Sequence, residues 1–173
     1  MDGINFTRRV AVGGIVLASF GLASPALAQS TASSNLSVTA TVTANCTLST
    51  SAVAFGSVNT LSGTNVDATG GITVTCTSGT GWTATANAGT GTGASLLTRR
   101  MTPATGTTTL NYSLYTTSAR TTVWGDGTGT TGTIANSGTG AAQAIPIYGR
   151  VPSGQGSVPA GSYSDTVAVT VTY

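Results

Sequence analysis

Apolar and polar residues alternate along much of this chain. Leu36, Val38, Ala40, Val42 and Ala44 fall on one side of an extended backbone, and Ser37, Thr39, Thr41 and Thr43 fall on the other. A period of two is the mark of a β-strand with one buried face. The same pattern predicts strands at Ile72–Thr77, with Cys76 on the apolar face, and at Trp82–Ala86, Leu110–Leu114 and Ala144–Tyr148. Val53–Phe55 is a shorter candidate. The chain closes on Tyr163–Tyr173, where Val167, Val169, Val171 and Tyr173 share a face that Asp165 interrupts near its start. Pro146 cannot donate to a ladder, so it predicts an edge or a bulge for its strand. Clusters of Gly, Ser, Asn and Pro separate these runs, as turns do in all-β domains. No segment sustains an apolar period of 3.6, so no helix is expected. The Leu36–Ala44 strand has two readings. It is either the first strand of the chain's own sheet or a strand that leaves and completes a neighbour, and both need one buried face.

The first residues read differently. Arg8 and Arg9 precede an apolar run, Val10–Leu22, and Ser24-Pro25-Ala26-Leu27-Ala28 supplies small residues in an A-x-A pattern. This is the layout of a secretory signal peptide over residues 1–28, with cleavage after Ala28. The run falls short of the roughly 20 residues a membrane-spanning helix needs, and Pro25 ends it. Paired arginines are common before such runs, so the general secretory route is expected rather than the twin-arginine one. The exported chain, Gln29–Tyr173, then holds two cysteines, Cys46 and Cys76. In an oxidising compartment these form one disulfide. Short strands, one disulfide and no helix together predict an immunoglobulin-like sandwich.

Composition narrows the chemistry further. Charged residues make up 6% of the 173, against roughly 25% in an average soluble domain. There is no His, no Lys and no Glu, while Thr is about a fifth of the chain. Without His or Glu there is no Ser–His–Asp or Cys–His pair and no His-ligated metal, and without Lys no Schiff base. No enzyme activity, cofactor or metal is expected. A net charge of +2 is too small and dispersed for nucleic-acid binding. Gly127–Gly132 fits G-x-G-x-x-G, but it lacks the preceding strand, the following helix and the acidic residue of a dinucleotide site. Asp126 reads as a turn residue, since calcium needs several carboxylates. Three glycosylation sequons, at Asn35, Asn45 and Asn111, arise freely in a Thr- and Ser-rich chain and are given no role. Arg99-Arg100 reads as a solvated pair at a loop end. Trp82 and Trp124 read as core residues. The recurring Thr-x-Thr pairs lack the fixed period of an ordered binding array and read as exposed strand faces.

A set of short motifs runs through the chain in one order: Asn45-Cys46-Thr47, Phe55-Gly56, Leu61-Ser62-Gly63, Val74-Thr75-Cys76, Arg99-Arg100-Met101, Tyr112-Ser113-Leu114-Tyr115, Val123-Trp124-Gly125-Asp126-Gly127, Tyr148-Gly149-Arg150-Val151-Pro152 and Pro159-Ala160-Gly161-Ser162-Tyr163-Ser164-Asp165. Together they resemble the spore coat protein U domain family, which includes the pilins of archaic chaperone–usher pili. The resemblance implies an incomplete immunoglobulin-like sandwich, over residues 45–173, that lacks one strand and is completed by a donor strand. It implies that residues 29–44 form an N-terminal extension that offers Leu36, Val38, Ala40 and Val42 to a neighbour's groove. Val167, Val169, Val171 and Tyr173 would border the chain's own groove, and Cys46 and Cys76 would match the family's disulfide. The implied partners are identical or related pilin subunits, a periplasmic chaperone and an outer-membrane usher, with no nucleic acid and no membrane span after processing. The implied role is a structural subunit of surface fimbriae used in adhesion and biofilm formation, passing through the periplasm to the cell surface. Two alternatives stand beside it: a spore or cell-envelope coat protein, and a monomeric β-domain that binds ice or a glycan.

Overall fold

Inward apolar residues at alternate positions set the ladder. The computed structural model of the chain describes residues 28–173, so the expected signal peptide, 1–28, lies outside the described residues except for Ala28. Two units are distinguished, Met1–Thr39 and Ala40–Tyr173. Of the first, residues 28–39 are described; all are exposed and none is in a strand. The second unit carries β1 (Cys46–Ser51), β2 (Val66–Cys76), β3 (Gly81–Ala86), β4 (Arg99–Pro103), β5 (Leu110–Tyr115), β6 (Ile134–Ser137), β7 (Gln143–Val151), β8 (Tyr163–Ser164) and β9 (Val169–Thr172). No helix is present among the described residues.

The strands form two antiparallel sheets. One runs β1-β2-β7-β5-β4-β8 and the other β6-β3-β9. This is an immunoglobulin-like sandwich, and its core lies between the sheets. Ile72, Val74 and Cys76 of β2 face inward, as do Trp82, Ala84 and Ala86 of β3 and Leu110, Tyr112 and Leu114 of β5. Trp124 and Trp82 are both core residues, as their size required. Cys46 and Cys76 are bonded to each other and sit opposite on the β1–β2 ladder.

Several expectations are corrected by pairing. Leu36–Ala44 has the alternation of a strand but no ladder, and it lies outside both sheets. Alternation needs a partner edge, and none is supplied to it here. Val53 and Phe55 point inward and Ala54 outward, as the pattern said, yet residues 52–58 join no ladder. Tyr163–Tyr173 is not one strand. It splits into β8, paired with β4 in the large sheet, and β9, paired with β3 in the small one. Asp165–Ala168 is the corner at which the chain changes sheets. Pro146 lies on β7, between β2 and β5, but the β5 ladder stops at Tyr148. One side of β7 is therefore unpaired at the proline, and the expected edge is local. Strands β1, β4 and β6 carry too few alternating apolar residues to have been predicted.

The largest correction concerns Arg99. It is not a solvated loop residue; it opens β4 and is fully buried, with 0% of its surface exposed. Its guanidinium replaces water with three backbone carbonyls. Nε donates to Asn87 (2.9 Å), Nη1 to Leu96 (3.2 Å) and Nη2 to Trp124 (2.8 Å). A buried charge persists only when its donors are met in this way.

Candidate binding groove

Between the sheets, on the side where β1 and β9 form edges, the sandwich is open. A cleft of about 430 Å³ lies there. Its floor is apolar: Ile72, Leu114, Trp124 and Ile147. One rim is Thr50–Val53 with Phe55, where the chain leaves β1. The other is Tyr163–Val167 with Val169, the end of the chain. A second cleft of about 740 Å³ shares Val53, Phe55, Met101 and Tyr163 with the first and continues to Val58, Leu110 and Val158. The two clefts adjoin through these shared residues; the first has an apolar floor, and the second mixes polar and apolar lining.

Local sequence explains the rims. Gly149 of β7 faces inward without a side chain, and a Cβ there would stand 2.6 Å from Val53 and 2.7 Å from Phe55. The two side chains of the unladdered segment fill that gap, and Phe55 meets Tyr112 edge to face at 6.1 Å between centroids. On the opposite rim β9 pairs only with β3, from Ala86↔Val169 to Thr83↔Thr172. Its other edge carries unpaired backbone groups, which seek a strand.

The expected groove-edge residues are placed as follows. Val167, Val169 and Val171 are half-buried against the core. Tyr173 lies beyond the end of β9 and is 56% exposed. Its hydroxyl sits 3.4 Å from the Asn45 side chain. The expected donor residues are exposed: Leu36, Val38 and Val42 are 87%, 84% and 84% exposed, and Ala40 is exposed as well. Such large aliphatic side chains, left in water at alternate positions, form an apolar stripe without a partner.

Sequence reasoning missed the polar group at one end of the groove. Asp165 lines the cleft and accepts the Tyr112 hydroxyl at 2.7 Å. Burial, and then the bond to Asp165, pushes the Tyr112 phenol well above its usual range, so it remains a donor. Burial holds the Arg99 guanidinium below its usual value, while the nearby Tyr112 and Asp165 oppose that shift. The signal for this group was available in the order Arg99, Tyr112, Asp165 along the motifs, but nothing local linked them. Elsewhere, Asp126 sits in a turn and accepts from the Thr128 amide and hydroxyl, which lowers its pKa. Among the described residues no three potential metal ligands cluster.

A family model for the Spore Coat Protein U domain matches residues 32–170. The chain belongs to the spore coat protein U domain family. The family match begins ahead of the sandwich and includes the exposed Leu36–Ala44 segment. A relative in the same sense is Protein U of Myxococcus xanthus, 33% identical over 163 residues, a span covering 87% of this chain and 89% of that protein. Among solved structures, the fold is similar to a chain in the CsuC–CsuE complex of Acinetobacter baumannii. That structure is described as a chaperone–tip adhesion subunit pre-assembly complex from archaic chaperone–usher Csu pili. The likeness has a TM-score of 0.55 at 22% identity and covers 77% of this chain but 40% of that one. At that identity it speaks for the fold of this spore coat U domain.

Proposed function

We propose that this protein is a structural, pilin-type subunit that assembles by strand exchange. Its groove accepts residues 36–44 of another copy, with Leu36, Val38, Ala40 and Val42 directed inward. The observation that carries this reading is the pairing of two unmet needs: an apolar groove beside the free edge of β9, and an exposed alternating segment with no sheet of its own. Nine extended residues span roughly 30 Å, enough to cross a sandwich face. Burying Leu36, Val38 and Val42 contributes about 5–9 kcal/mol before ordering costs. Main-chain bonds to β9 add affinity, and the alternate side chains set the register.

In this proposal residues 1–28 direct export, and residues 29–44 and 45–173 act as donor extension and recipient domain. A periplasmic chaperone fills the groove in transit, an outer-membrane usher hands the subunit to its neighbour, and the product is a fimbrium for adhesion and biofilm. The likeness to a chain in a chaperone–tip adhesion subunit pre-assembly complex supports the chaperone step. A cell-envelope coat is the second reading, favoured by the family description itself.

The test is Val38→Asp. Wild-type chain is expected to form polymers on a sizing column and filaments in electron micrographs. Val38→Asp is expected to stop assembly while its own groove still takes up a synthetic wild-type peptide of residues 29–44. Normal assembly by Val38→Asp refutes the donor assignment. Filaments that persist in cells lacking the usher favour the coat.

A further inference from the structure

The corner between β8 and β9 is held by a polar cluster that no apolar pattern requires. Asp165 Oδ1 accepts the Thr90 amide (2.7 Å), the Thr90 hydroxyl (2.9 Å) and the Thr166 amide (2.7 Å). Its Oδ2 accepts the Tyr112 hydroxyl. Three residues on, Ala168 is gripped at two points by Asn87. The Asn87 amide donates to the Ala168 carbonyl (3.0 Å), and the Asn87 side-chain oxygen accepts the Ala168 amide (2.9 Å). The Asn87 carbonyl in turn accepts Nε of the buried Arg99. Gly89 makes the approach possible: it has φ +83°, and a Cβ there would run into the Asp165 carboxylate. Thr90 and Asn87 hold residues 165–168 from outside the cleft lining, Tyr112 holds Asp165 from within it, and the second edge of β9, the strand that follows, is left free.

We infer that Asp165, with Asn87, Thr90, Tyr112 and Arg99, is a latch that presets the free edge of β9 for strand capture, so that Asp165 is a positioning residue for assembly. This rests on the strand-exchange reading of the groove. The physical reason is preorganisation. A strand entering a groove must otherwise order the sheet-changing corner as it binds, and a corner already fixed removes that cost from the encounter. A residue that only stabilised the fold would alter melting or release. A residue that presets the template alters the rate of capture.

The experiment uses the full chain, disulfide intact, refolded into an excess of synthetic peptide spanning residues 29–44. Trp124, on the groove floor, reports capture by its fluorescence. Asp165→Ala is expected to slow capture about tenfold and to change peptide release less than about twofold, a split unlike the usual dominance of release rates. Asp165→Asn keeps an acceptor for Thr90 and Thr166 and is expected to recover most of the rate. Capture by Asp165→Ala at the wild-type rate, or a loss carried by faster release, overturns the inference. If Asp165→Ala does not refold, Thr90→Val decides, because Thr90 is exposed and the change removes one tie. Slower capture with unchanged release supports the latch, and unchanged capture overturns it. Wild-type chain that ignores the peptide refutes the groove reading, and the latch with it. That failure shows in the wild-type arm alone, so it is distinct from a failure of Asp165.

Discussion

Replacing Arg99 by methionine tests whether a buried cation holds this sandwich together. Methionine fills similar length without a donor. Three carbonyls, those of Asn87, Leu96 and Trp124, then lose bonds of 2.9, 3.2 and 2.8 Å. Hydrogen bonds from a charged donor contribute about 1.5–3 kcal/mol each, so the gross loss is roughly 5–9 kcal/mol. Against this, the fold no longer strips water from a guanidinium, a relief of several kcal/mol. The net expectation is a destabilisation of about 3–5 kcal/mol, the gross loss less that relief. The assay is equilibrium urea unfolding followed by tryptophan fluorescence. The Trp124 carbonyl is one of the three acceptors, so the probe sits at the perturbation. Arg99→Lys keeps the charge but presents one compact donor group in place of a fork, and is expected to recover only part of the loss. A methionine variant within about 1 kcal/mol of wild type would refute the reasoning, because it would mean that desolvation had cancelled all three bonds.

Two further outcomes follow from other parts of the fold. Changing both Cys46 and Cys76 to serine opens a bridge with a sequence separation of 30; the loop-closure estimate gives a loss of about 3–4 kcal/mol, read as a lower urea midpoint with an intact β spectrum. Asp67 is held below the usual carboxylate range, first by its hydrogen bond to Arg150 and then by the charges of Arg120 and Arg150. Its contribution is therefore present above the unfolded value and is lost as pH falls through the lower folded value. The pair is partly exposed, so the loss is about 1 kcal/mol or less. Acid titration of Asp67→Asn should lack that component, and an unchanged acid limb would refute it.

The inner faces of the strands were legible because burial and alternation are the same fact in a sheet. Ile72, Val74, Trp82, Ala84, Leu110 and Leu114 all fell where period two put them. The cysteine pair was legible from its number and from the expected export of the chain. Pairing was not legible, because a ladder is a relation between distant segments. Val53–Phe55 and Leu36–Ala44 carry the pattern of a strand and join no sheet, whereas Thr47–Ser51 carries almost none and pairs along its whole length with β2. The polar end of the groove was the hardest to foresee. A pair of arginines beside a glycine-rich loop looks like surface, and only the three carbonyls of Asn87, Leu96 and Trp124 make Arg99 a core residue. Asp165 showed as a break in an apolar face, which was correct, but its bonds reach back to Thr90 and Tyr112, far along the chain.

The placement of the arginines has a consequence for proteolysis. Four arginines lie among the described residues, and there is no lysine in the chain. Arg99 is sealed in the core, Arg100 is partly buried on β4 with its head on the Thr92 carbonyl, and Arg120 and Arg150 both clasp Asp67. Three of the four sit within strands, and the fourth is in a turn whose backbone is bent to φ +54°. A trypsin-like protease needs a basic side chain on a segment slack enough to enter its cleft, and such segments here, the exposed residues 28–44 above all, contain none. Each cut by such an enzyme within residues 28–173 therefore records an opening of the sandwich itself, and a subunit whose groove is filled should outlast an empty one in the same digestive surroundings.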